Sequence, residues 1–139
     1  MGTVIRAKIS EKNKYWIDKH RYYELKHFCL QYKEWKKAYA LCAGSTIVSP
    51  RFREYINENT ASDTTAKRAI EKAYYAARID MVEQAAREAD PDLYSYILKG
   101  VTEGVSYTYL KTKLDIPCGR DMYYDRYRKF FWLLNKMRL

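Results

Sequence analysis

The sequence is poor in the residues that build metal and catalytic sites. Its three cysteines, Cys29, Cys42 and Cys118, are far apart, and no CxxC or Cys/His metal-ligand spacing occurs. The two histidines, His20 and His27, lie seven residues apart among Lys and Tyr and are expected at a surface or a helix seam. No Ser/His/Asp set and no Gly-rich phosphate loop is present. We therefore expect a protein that is not an enzyme and holds neither a metal nor a cofactor.

Long hydrophobic runs are also missing. No stretch of about 20 apolar residues occurs, and the first residues, MGTVIRAKISEKNK, contain no apolar core of a signal peptide. The odd number of cysteines fits a reducing compartment, where thiols stay unpaired. These absences predict a soluble cytoplasmic protein without membrane contact.

Positive charge is concentrated at the two ends of the chain. Residues 1–43 carry 10 Lys/Arg and 4 Asp/Glu, and residues 104–139 carry 8 and 3, so these segments hold +6 and +5. Residues 44–103 hold 8 and 10, which gives −2. Two basic ends around an acidic middle favour a polyanionic partner, with nucleic acid ahead of an acidic membrane surface.

Tyrosine is unusually frequent, with fifteen tyrosines against four phenylalanines. A tyrosine buries a large apolar ring and keeps a polar tip, which suits a thin core with half-exposed seams. The same side chain can contact phosphates and base edges. Packing is the expected role of most of the fifteen.

The first 43 residues form a basic segment with one long helical pattern from about Glu11 to Cys42. Apolar side chains recur in it at three- and four-residue steps, without Pro or Gly. This stripe would pack in a core or form a homodimer seam with a second copy, and the core is slightly favoured. Its members are Tyr22, Leu25, Cys29, Tyr32, Trp35, Tyr39 and Cys42.

A linker at 44–59, with one turn of helix around Arg51–Tyr55, precedes a helical domain at 60–139. Asn59 to Asp63 supply capping side chains for an Ala-rich helix that ends before Asp90-Pro91. Its small residues, between Ala66 and Ala86, form one narrow face that another helix can approach closely. Three more helices follow, at 91–99, 106–114 and about 120–137, with Gly100 and Gly104 framing a turn between the first two. The expected fold is all-α and ends in a three-helix unit at about 91–139.

The last two of these helices are spaced as in a helix-turn-helix motif. Ser106 caps the first helix, and Ile116 plugs the turn before the second. The inner face of the second helix is predicted from its three- and four-residue steps: Tyr123 or Tyr124, Tyr127, Phe130/Phe131 and Leu134.

The outer side of this helix would face DNA. Arg120, Asp121 and one of Tyr123/Tyr124 would lie closest to the bases, and arginine matches the O6/N7 edge of guanine. Further basic residues on the second helix would contact phosphates or a neighbouring helix: Arg126, Arg128 and Lys129. Lys111 and Lys113 on the first helix would contact the DNA backbone alongside. The alternative is an amphipathic helix whose cations are simply solvated.

Five short motifs between residues 59 and 134 resemble the RinA/ArpU-type phage transcriptional regulators. In chain order they are Ser62-Asp63-x-Thr65, Asp90-Pro91-x-Leu93, Val101-Thr102-Glu103-Gly104, Ile116-Pro117-Cys118-x-Arg120-Asp121-x-Tyr123-Tyr124 and Tyr127-Arg128-Lys129-Phe130-Phe131. The resemblance implies a helix-turn-helix similar to region 4 of sigma factors, and sequence-specific binding to promoter DNA of a phage or prophage. It does not cover the segment before residue 44.

Taken together, these patterns predict a DNA-binding transcriptional regulator. Its N-terminal helix would support a homodimer or contact RNA polymerase. Two other functions remain open at this point. The chain could be a helical module that binds an acidic protein, or the small subunit of a DNA-packaging machine, which uses a similar motif in a ring.

Overall fold

A computed structural model describes residues 12–44 and 61–138. The described residues form six helices and no strand, so the predicted all-α class is confirmed. The residues predicted as the linker turn and as the caps of the long helix lie outside this part or carry no described side chains. The helices are α1 (Lys19–Cys29), α2 (Tyr32–Gly44), α3 (Ala61–Ala89), α4 (Tyr94–Glu103), α5 (Tyr107–Leu114) and α6 (Arg120–Met137).

The first predicted helix is in fact two helices, and it begins later than expected. Asp18 caps α1, its carboxylate accepting the backbone N–H of His20 at 3.1 Å. The helix ends at Cys29, where the N–H of Gln31 bonds the carbonyl of Phe28 at 3.2 Å in a tighter turn. A stripe of apolar residues does not reveal such a break, because a single tight turn changes the phase of the pattern only slightly.

Most of the predicted N-terminal stripe is core of a single chain. Tyr22, Leu25, Cys29, Tyr32 and Trp35 are all buried. The core role predicted for this stripe is therefore confirmed for these five residues, and the homodimer through the N-terminal helix stays a prediction.

The contacts divide the chain into two compact units whose limits differ from the predicted segments 1–43, 44–59 and 60–139. One unit holds α1, the end of α3 from Met81, and helices α4 to α6. The other holds α2 from Lys33 and the part of α3 up to Asp80. Helix α1 thus belongs with the C-terminal helices, although residues 30–93 separate it from α4, the first of them.

The core of the first unit is built on α6, against which α1 and α4 pack. The predicted inner face of α6 is confirmed: Tyr123, Tyr124, Tyr127, Phe130, Phe131 and Leu134 are all buried. The ring of Tyr22 lies 5.1 Å from that of Phe131, edge to face, and its hydroxyl is 2.9 Å from the hydroxyl of Tyr127. The tyrosine-rich composition therefore serves the core, in which the hydroxyls of Tyr22 and Tyr127 satisfy each other.

Helix α4 lies later in the chain than predicted. The Asp90 carboxylate accepts the N–H groups of Asp92 at 2.9 Å and Leu93 at 3.2 Å, which holds residues 91–93 in a turn before the helix. Gly100, predicted in a turn, lies inside α4. A larger residue does not fit at this position, because a Cβ atom would overlap the hydroxyl of Tyr123. Gly104 does end the helix, at φ 71°.

Only the last part of the Ala-rich face of α3 is buried. Val82, Ala85 and Ala86 are enclosed in the first unit. In the second unit the same face is exposed, and Ile70 keeps 70% of its surface accessible. The prediction of one continuous packing face along α3 is thus wrong for its first half. Alanine has high helix propensity, so a run of alanines supports the helix whether or not it is buried.

Candidate nucleic-acid interface

The short helix α5 is capped at both ends, by a side chain at its start and by the backbone at its end. The hydroxyl of Ser106 accepts the N–H of Tyr109 at 3.2 Å, as predicted for a helix cap. At the other end Asp115 adopts a left-handed conformation at φ 52°, and the N–H of Ile116 returns to the carbonyl of Leu110 at 3.1 Å. Ile116 is completely buried, which confirms that it plugs the turn.

Tyr107 joins this turn to the next helix. Its hydroxyl donates to the carbonyl of Cys118 at 2.7 Å, and its backbone N–H donates to the hydroxyl of Tyr124 at 3.4 Å. Its ring lies 5.9 Å from the ring of Tyr123. One residue at the start of α5 therefore holds both the turn and the first turns of α6 in a single arrangement.

Arg120, the first residue of α6, is exposed and rests on α5. Its guanidinium lies 5.3 Å from the centre of the Tyr107 ring and donates to the hydroxyl of Thr108 at 3.4 Å. The positive charge is therefore displayed beside the start of α5, at the surface predicted to meet the bases.

A shallow pocket of about 220 Å³ opens at this point of α6. Its lining consists of Arg120, Asp121, Tyr124 and Arg128. Two guanidinium groups, one carboxylate and a phenol give it both donors and acceptors of hydrogen bonds. Such a mixture suits a polar ligand with an anionic component, and it offers little to an apolar one.

Tyr123 and Tyr124 are not at the surface. Only 1% and 4% of their area is exposed, and burial raises the pKa of the Tyr123 phenol well above its usual value. The prediction that one of them lies against the bases is corrected, because both side chains are buried in the core. Adjacent positions 123 and 124 both face inward because α6 is covered on two sides, by α1 and by α4.

Of the two roles predicted for Arg126, contact with phosphates or with a neighbouring part of the protein, the structure shows the second. Its Nε–H donates to the Asp90 carboxylate at 3.0 Å, and Nη1 lies 2.5 Å from Asp125 Oδ2. These carboxylates, Asp90 first, raise the pKa of the Arg126 guanidinium. Sequence could not show this pairing, because Asp90 lies 36 positions earlier and no local pattern connects the two.

The other cations predicted at the interface lie on α5 and α6 and differ in exposure. Lys111 and Lys113 are exposed in the last turn of α5, whereas Arg128 and Lys129 on α6 are only partly exposed. Met122, which no predicted site includes, has 43% of its surface exposed beside Asp121. Its position outside the apolar stripe of α6 is the signal that could have placed it at the surface.

No protein-family profile matches the chain, and neither a curated protein nor a solved structure shows significant similarity to it. The resemblance to RinA/ArpU-type regulators therefore stays a prediction. Among residues 12–44 and 61–138, no helix has both the length and the apolar character needed to cross a bilayer. Within the same residues, no three His, Cys, Asp or Glu side chains form a group that could hold a metal ion.

Proposed function

We propose that this chain is a sequence-specific DNA-binding transcriptional regulator that acts through a helix-turn-helix formed by α5, residues 115–119 and α6. In this proposal the first turn of α6 enters the major groove, and Arg120 donates to the O6/N7 edge of a guanine. The phage or prophage setting comes only from the resemblance of residues 59–134.

One observation carries the proposal. Helix α6 buries a complete face in the core while Arg120 and Asp121, in its first turn, stay exposed directly after a turn that Tyr107 holds in place. A rigid helix whose start protrudes in this way can present side chains to base edges without rearranging.

The surrounding charge favours a nucleic-acid partner. Lys111 and Lys113 lie at the end of α5, and residues 104–139 carry a net charge of +5. Lysines around a base-reading element supply the phosphate contacts that set its register and make binding depend on salt. Lys129, partly exposed farther along α6, is a further candidate for a phosphate contact, whereas Arg126 is paired with Asp90 and Asp125.

The test is duplex binding by mobility shift, on a selected sequence and on random DNA, at two salt concentrations. Arg120→Ala should lower affinity for the selected site by about 1–3 kcal/mol and change random binding little. Arg87→Ala is the matched control, because Arg87 is also exposed and stacks on a tyrosine, Tyr94, at 4.6 Å. It should leave both affinities unchanged.

Other outcomes point to the alternative functions. Equal losses on selected and random duplex for Arg120→Ala would contradict the base contact. No duplex binding at low salt would contradict the regulator and favour a module that binds an acidic protein. A ring-sized oligomer by light scattering would favour a DNA-packaging subunit.

A further inference from the structure

Arg120 and Asp121 are neighbours in the first turn of α6, but the protein engages them differently. Arg120 contacts Tyr107 and Thr108, whereas Asp121 makes no hydrogen bond and no ion pair with any described residue. The Asp121 side chain is exposed and lines the same pocket as Arg120 and Arg128. Both of its oxygens therefore remain available to accept hydrogen bonds from a ligand.

We propose, on the basis of the DNA-binding function argued above, that Asp121 reads a cytosine in the major groove. Its carboxylate would accept a hydrogen bond from the N4 amino group, next to the base pair whose guanine Arg120 binds. The proposal adds a second base to the recognition site and assigns it a chemical identity.

The chemistry of the base edges selects cytosine. A carboxylate can only accept hydrogen bonds, so the two acceptors of guanine and the O4 acceptor of thymine repel it. Adenine offers an N6 donor, but its N7 acceptor lies beside that donor and opposes a second carboxylate oxygen. Cytosine presents its N4 donor with no acceptor on its own major-groove edge, so a carboxylate can approach it from the side away from the paired guanine.

The pocket also makes a carboxylate acceptable near DNA. An isolated Asp121 would be repelled by the phosphates, but the guanidinium groups of Arg120 and Arg128 line the same pocket and leave it net positive. An acidic residue in the first turn also favours the helix dipole, yet that effect is the same for every DNA sequence. Base selectivity therefore separates a reading role from a purely structural one.

The experiment is selection of binding sites from random duplex DNA with the full chain and with Asp121→Asn. The unchanged chain should select cytosine at one position, with a preference of about 5- to 150-fold. Asparagine pairs with adenine through N6 and N7, so Asp121→Asn should change that position alone from cytosine to adenine. Asp92→Asn makes the same charge change at an exposed residue before α4 and should select the original site.

A chemically altered base tests the same contact directly. With N4-methylcytosine at the selected position, a methyl group occupies the place of the major-groove hydrogen. The unchanged chain should then lose its preference for that position, and Asp121→Asn should be affected less.

The outcomes distinguish this inference from the function on which it rests. If Asp121→Asn selects the same site as the unchanged chain, the cytosine contact is overturned while DNA binding stands. If the unchanged chain binds no duplex, both are overturned.

Discussion

The Asp90 carboxylate connects the start of α4 to the middle of α6 through Arg126. One of its oxygens accepts the N–H groups of Asp92 and Leu93, and the other accepts the Nε–H of Arg126 at 3.0 Å. The Asp90 side chain is only 10% exposed, whereas that of Arg126 is 32% exposed. A carboxylate that water barely reaches thus depends on one guanidinium for its charge partner.

Removing that guanidinium should cost stability and leave DNA binding intact. Arg126→Ala leaves Asp90 buried with only backbone donors, so we expect a loss of about 1–3 kcal/mol in the free energy of unfolding. Urea unfolding measures it, and Lys129→Ala, a partly exposed cation on the same helix, is the control. Duplex affinity of folded Arg126→Ala should match that of the unchanged chain, and a uniform loss of affinity would return Arg126 to the interface.

The contact between Gly100 and Tyr123 should behave as a coupled pair. Gly100→Ala forces a methyl group against the Tyr123 hydroxyl and should destabilise the fold by about 1–3 kcal/mol. Tyr123→Phe should be neutral or stabilising, because the buried hydroxyl finds no hydrogen-bond partner among the described residues. The double variant should recover most of the loss. Additive effects in this double-mutant cycle would contradict the proposed overlap.

Stability should fall in alkaline solution because of the phenolic core. Burial raises the pKa of Tyr22 from 10.0 to about 12, and it raises the pKa values of Tyr123 and Tyr127 as well. Above pH 10 the unfolded chain releases these protons while the folded chain retains them, so the free energy of unfolding decreases as pH rises from 10 towards 12.

Each such phenol should contribute a slope of about 1.4 kcal/mol per pH unit within that window. Urea unfolding at several alkaline pH values measures the slope, with tyrosinate absorbance as a second signal. Tyr22→Phe should reduce the slope by the contribution of one phenol, about 1.4 kcal/mol per pH unit. Tyr74→Phe, at a tyrosine that is 49% exposed, is the control, and an equal reduction there would contradict burial as the cause.

Loss of the Ser106 cap should destabilise the fold at the start of α5. Ser106→Ala leaves the N–H of Tyr109 without its acceptor and should cost about 0.5–2 kcal/mol of stability. Ser95→Ala, at an exposed position within α4, is the matched control and should be close to neutral. Thermal unfolding compares the two, and equal shifts in Tm would show that the Ser106 hydroxyl does not cap the helix.

Local signals in the sequence determined the last two helices. The Ser106 cap predicts α5, and the three- and four-residue steps of Tyr127, Phe130 and Leu134 predict α6 and its inner face. Capping and amphipathic periodicity act within a few residues. The exposed position of Arg120 and Asp121 follows from the same pattern.

Tertiary structure alone decided which of the other predicted interface side chains, such as Tyr124 and Arg126, are free to contact DNA. Packing of α1 and α4 on α6 buried Tyr124 along with Tyr123, and Asp90 drew Arg126 into an ion pair across 36 positions. These outcomes come from contacts between distant segments, for which neither periodicity nor helix propensity carries information.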